Sequence, residues 1–124
     1  MDKLKFIKDQ MEAIAVPYEL GEWTSAVVDL YFVGEYTEIP GRTEDGAEET
    51  DFILTGFCRG KLIDLEKAKA KIKKRFPPIE GLRADTDSGA IAVFFDGAFP
   101  VPTGEAGLKR IEIHLKIKEW KGDL

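Results

Sequence analysis

The chain has 124 residues, 44% hydrophobic and 33% charged, with a formal net charge of −5. That size suits a single domain, and the balance of apolar and charged residues excludes a disordered chain. The lone cysteine, Cys58, excludes an internal disulfide, and the negative charge weighs against a general nucleic-acid binder, which needs a basic surface to release counterions.

The N-terminal Met1-Asp-Lys-Leu-Lys-Phe6 lacks the apolar stretch of a signal peptide, and no apolar run nears the roughly 20 residues needed to span a bilayer. The expected setting is a reducing cytoplasm, or a particle assembled there, without membrane contact.

Leu4, Ile7, Met11 and Ile14 recur at helical spacing among Lys3, Lys5, Lys8, Asp9 and Glu12. This predicts an amphipathic helix, ended by Pro17 because the residue before proline avoids helical geometry. Tyr18 to Trp23 reads as a connection or a short strand. From Ala26 to Glu38 the β-branched and aromatic content predicts a strand, with Gly34 marking a bulge or a close backbone approach. Between Val27 and Val33 both alternating faces are apolar. Residues 39–49 carry Pro40, Gly41 and Gly46 with the acids Glu44, Asp45, Glu48 and Glu49, which predicts a solvated hairpin loop. Thr50 to Cys58 is then a second strand, antiparallel to the first.

Gly60 breaks that strand, and a helix is expected from near Leu62 to Phe76, with Asp64 as N-cap and Glu66 in the first turn. Leu62, Leu65, Ala68, Ile72 and Phe76 form a narrow apolar stripe, with Lys67, Lys71 and Lys74 opposite. Pro77-Pro78 stops the helix, and residues 79–88 read as loop. Ala90 to Phe95 is a strand apolar on both faces, followed by an extended, proline-containing connection over 96–104. Ile111, Ile113, Leu115 and Ile117 alternate with Glu112, His114, Lys116 and Lys118, the pattern of a strand with one buried and one wet face. The expected fold is α+β in one domain over 1–124: a four-stranded antiparallel sheet with two helices on one face, in the order α-β-β-α-β-β.

Nothing in these residues identifies a reaction. One histidine, His114, cannot build a histidine metal cluster, and its place on a polar strand face suits a solvent or interface role better than a catalytic base. Cys58 sits in an apolar run and reads as a buried, inert thiol. The acidic loop lacks the alternating ligands of a calcium loop, and Gly97, Gly104 and Gly107 form no phosphate-binding pattern, so no metal, cofactor or catalytic residue is expected. The lysine face of the second helix is the best nucleic-acid candidate, although no aromatic or arginine residue is interleaved for base contact. Strands apolar on both faces leave more apolar surface than two helices easily cover, which points to assembly.

At Tyr31-Phe-Val-Gly-Glu-Tyr-Thr-Glu38, Thr43-Glu-Asp-Gly46, Phe52-Ile-Leu-Thr-Gly-Phe57 and Leu65-Glu-Lys-Ala-Lys-Ala-Lys-Ile-Lys73, the chain resembles neck and tail proteins of long-tailed phages and prophages of Gram-positive bacteria. It looks most like the tail-terminator, or tail-completion, group. The resemblance implies a non-enzymatic α+β subunit of a hexameric ring that caps the tail tube and presents a surface to the head. It implies as partners other copies of the chain, a tail-tube protein and a head-completion protein, with DNA only as passing cargo. Its place would be the host cytoplasm during assembly and then the virion neck. In such a ring Glu44, Asp45, Glu48 and Glu49 of one copy would face Lys67, Lys71 and Lys74 of the next, complementary charge setting the register. The competing expectations are another neck or head–tail connector protein, a small nucleic-acid-binding module using the lysine-rich helix, and an enzyme or ligand-binding domain behind an unfamiliar motif.

Overall fold

The computed structural model describes residues 2–26 and 28–121. The chain runs through helix α1 (Asp2–Ala13), strands β1 (Tyr18–Leu20), β2 (Leu30–Ile39) and β3 (Glu48–Arg59), and helix α2 (Leu62–Arg75). It closes with β4 (Leu82–Thr86), β5 (Gly89–Val101) and β6 (Leu108–Lys121). All six strands form one curled, mixed sheet in the order β1-β2-β3-β6-β5-β4. The four-stranded antiparallel sheet and the order α-β-β-α-β-β expected from sequence are therefore wrong: the order is α-β-β-β-α-β-β-β, and β1 pairs parallel to β2.

The two strands absent from the expected order each have a physical reason, and β1 takes the second of the two readings, connection or short strand, given to residues 18–23. β1 spans only three residues and is recruited by its neighbour: Phe32 donates its N–H to Pro17 O at 2.8 Å, and Gly21 donates to Gly34 O at 2.8 Å. β4 lies within the segment expected to be loop. Its sequence, Leu-Arg-Ala-Asp-Thr, holds little apolar pattern because an edge strand is secured by backbone bonds to one neighbour, here β5 from Gly89 to Val93. β5 does not stop at Phe95. A register irregularity between Phe95 and Ala98 absorbs Asp96 and Gly97, and the strand continues through Pro100, opposite Ile111, to Val101. β4 no longer flanks β5 there, so Pro100 lies on an edge stretch of the strand, a setting that tolerates proline.

Other boundaries also move. β2 begins at Leu30, not Ala26, and Val27 lies outside the described residues. The hairpin loop is shorter than 39–49, because Glu48 and Glu49 already belong to β3. The N-cap of α2 is Lys61, with extended backbone and no capping side chain, while Asp64 sits in the first turn.

The core lies between the sheet and both helices. Ile7 and Met11 of α1, and Leu65, Ala68 and Ile72 of α2 with the following Phe76, pack against Phe32, Phe52, Leu54, Ile91, Val93, Ile111, Ile113, Leu115 and Ile117. Leu62, assigned to that stripe from sequence, is instead exposed. Arg75 Nε donates to Gln10 Oε1 at 2.7 Å and ties the helices together. Among the described residues one buried charged residue went unforeseen. Lys3, on the charged side of the α1 pattern, is buried and reaches Glu38 Oε2 at 2.6 Å, Thr50 Oγ1 at 3.1 Å and Glu119 at 3.7 Å.

Candidate interaction surfaces

The acidic hairpin expected to face a neighbour is engaged with the chain's own last strand. The antiparallel register of β3 and β6 sets Glu49 opposite Lys118 and Asp51 opposite Lys116. Lys116 Nζ lies 3.0 Å from Asp51 and 3.9 Å from Glu49, Lys118 lies 3.4 Å from Asp45, and Lys121 lies 3.8 Å from Glu48. Trp120 Nε1 donates to Asp45 O at 3.1 Å and fastens the hairpin tip. The Asp45 carboxyl is held below its ordinary range by the Thr43 hydroxyl and then by Lys118, whereas Lys116 is raised by Asp51. Of the four acids singled out from sequence, Glu44 alone has no ion-pair partner among the described residues. The alternation of acid on one strand and lysine on the other was visible in the sequence, but only the register makes them partners.

Lys67, Lys71 and Lys74 do share an exposed face of α2. Lys71 Nζ donates to Ile14 O at 3.5 Å, at the end of α1, where carbonyls lack helical partners and favour a cation. No carboxylate lies within ion-pair distance of these three lysines among the described residues. The acidic and basic sets are thus not brought together within one copy.

The sheet face away from the helices carries an aromatic row the sequence did not single out. Trp23 lies 4.9 Å from Tyr31, Tyr31 stacks on Phe57 at 5.2 Å, and the Arg110 guanidinium lies 5.7 Å from the Phe57 ring. Cross-strand pairing explains the line, since Tyr31 faces Phe57 and Phe57 faces Arg110. Arg110 Nε is buried without a hydrogen-bond partner among the described residues. Phe99 on the same side is 47% exposed, and its ring lies 5.7 Å from His114.

The remaining candidates are quiet. His114 Nε2 lies 2.9 Å from Glu112 Oε2 on the wet face of β6. Cys58 is buried, and burial raises its thiol, with Asp64 and Asp29 adding to the rise. They do not form a dyad, because Cys58 pairs with Lys109 whereas His114 pairs with Ile53. Among the described residues no group of three or more His, Cys, Asp or Glu is placed to hold a metal, and no helix is long and apolar enough to cross a membrane.

Two further features stand at opposite edges of the sheet. After α2, the turn Pro77-Pro-Ile-Glu-Gly81 displays Ile79 at 85% exposure. Its signal in the sequence is a lone aliphatic residue inside a proline–glycine turn. At the other edge, Leu4, Tyr18 and Leu20 line a groove between α1 and β1 together with Lys5, Lys8 and Glu19. The chain matches no protein-family model and no curated protein sequence.

Proposed function

We propose that the chain is a structural subunit of a phage or prophage tail, a ring-forming tail terminator that caps the tail tube and joins it to the head. The resemblance at residues 31–38, 43–46, 52–57 and 65–73 carries this reading. Those segments are the β2–β3 hairpin and α2, one contiguous substructure of the fold. An uncovered sheet face bearing Tyr31, Phe57 and Phe99, and a helix face with uncompensated lysines, supply unlike patches from which a ring contact can be built. In this reading the partners are further copies, a tail-tube protein and a head-completion protein. DNA is passing cargo, and the chain performs no catalysis. It works in the host cytoplasm during assembly and afterwards in the virion neck.

Lys67, Lys71 and Lys74 are the basic half of the proposed subunit contact. Asp45, Glu48 and Glu49 could serve as its acidic half only by leaving Lys118, Lys121 and Lys116. The same lysine face supports the competing reading of a small nucleic-acid-binding module, and another neck or connector role would use the same surfaces.

Electron microscopy of the protein mixed with tail tubes tests the proposal. Capped tubes of defined length are expected, and uncapped tubes of uncontrolled length would end the terminator reading. Salt-resistant, sequence-selective DNA binding would favour the nucleic-acid module instead.

A further inference from the structure

We infer that copies of this chain join head to tail, the Pro77–Gly81 turn of one copy seating in the α1–β1 groove of the next. The inference rests on the ring reading above and adds an apolar anchor contact to the charged contact proposed there.

The turn is built to present one side chain. Gly81 N–H donates to Pro77 O at 3.0 Å, and Arg83 Nε donates to Glu80 O at 3.3 Å, so the backbone on both sides of Ile79 is held. Pro77 and Pro78 fix their own φ angles, which removes freedom the turn would otherwise lose on binding. Ile79 is 85% exposed, the most exposed large apolar side chain among the described residues, and exposed on a rigid support it has the character of an anchor. Beside it, Glu80 has no ion-pair partner within the described residues.

The groove has the complementary character. Leu4, Tyr18 and Leu20 give it an apolar lining, with Leu20 43% exposed, and Glu19, the acid that also lines it, is engaged by Thr24 and Ser25. Among the residues lining it, Lys8 holds only a loose pair with Glu12 at 4.0 Å, both side chains largely in solvent, so Lys8 is available to the carboxylate that accompanies the anchor.

Position then determines the kind of assembly. The turn leads directly into β4 and the groove borders β1, and these strands are the two edges of the sheet. Unlike patches at opposite edges make a heterologous contact, which propagates from copy to copy and closes only as a ring.

Sedimentation velocity over a concentration series tests this with Ile79→Glu (anchor lost, groove intact) and Leu20→Glu (groove lost, anchor intact), each checked for folding by circular dichroism. The wild type is expected to self-associate, and each variant alone to associate at least about tenfold more weakly. Mixing the two variants should restore one anchor–groove contact and give a 1:1 dimer that grows no further. Should Leu20→Glu fail to fold, the exposed pair Lys8→Glu and Glu80→Lys replaces it: each alone weakens association, and the two exchanges together in one chain restore it. A wild type that stays monomeric overturns the inference and leaves the terminator reading to the tail-tube experiment. A closed ring indifferent to all these variants also overturns it while supporting the ring. Open-ended polymers cut by the variants would support the contact and overturn the ring.

Discussion

The ring of Phe32 lies against its cross-strand partner Gly56, so that a Cβ added to that glycine would sit 2.5 Å from Phe32 Cε2 and 3.0 Å from Ile111 Cγ2. Phe32 is wholly buried. Gly34 repeats the arrangement one step along the sheet, where a Cβ would meet Tyr18 Oη at 2.6 Å and Phe52 Cζ at 2.8 Å. Gly34 therefore marks neither of the features expected from sequence, a bulge or a close backbone approach: the β2–β3 register runs unbroken through it, and aromatic side chains from neighbouring strands are what crowd it.

Gly56→Ala should therefore destabilise by overpacking, by about 1–3 kcal/mol in urea unfolding. Phe32→Ala, which empties the same space, should cost about 3–5 kcal/mol. A Gly56→Ala midpoint equal to wild type would mean that the Phe32 ring can move aside.

Lys3 offers a second test. Its side chain is 5% exposed and serves Glu38, Thr50 and Glu119 together, so Lys3→Ala strands the buried Thr50 hydroxyl and the largely buried Glu119 carboxylate. A loss of about 1–3 kcal/mol is expected. Glu38→Gln should change little, because that carboxylate is 62% exposed and water can replace its partner. Equal losses for the two variants would show that the pair, not the burial of Lys3, sets the energy.

The loop after β1 should respond to acid. The Glu19 carboxylate accepts from Thr24 Oγ1 at 2.6 Å and from Ser25 N–H at 3.0 Å, and these bonds lower its pKa to about 2. A carboxyl depressed in the folded state contributes its full stabilisation above its unfolded value, and loses it as the pH falls through the folded one. Amide exchange at Thr24 and Ser25 should thus stay protected at neutral pH, weaken below the ordinary carboxylate range and reach the Glu19→Gln level near pH 2. Protection at these amides that Glu19→Gln leaves unchanged at neutral pH would show that other contacts hold the loop.

The Cys58 thiol should be slow to react. It is 3% exposed, and burial raises its pKa, so little thiolate forms and less is reachable. A thiol reagent should label the native protein far more slowly than the urea-unfolded one, and equal rates would place the sulfur at the surface.

What sequence alone determined are the elements whose signal is local. Ile7 and Met11 in α1, and Leu65, Ala68 and Ile72 in α2, are buried at the spacing that predicted them. Ile111, Ile113, Leu115 and Ile117 are all within 1% of full burial on alternate positions of β6. A side chain's repeat along one element must match the face that element buries, so such patterns can be read without knowing the partner.

Tertiary structure decided whatever depends on the partner. β1 and β4 exist because an adjacent strand offers hydrogen bonds, and such bonds leave no mark on side-chain pattern. The acids of the hairpin find Lys116, Lys118 and Lys121 because register, a relation between segments about seventy residues apart, puts them in reach. Ile79 looked like one more loop residue, and only the fold leaves it standing alone in solvent on a braced turn, at the sheet edge opposite an apolar groove.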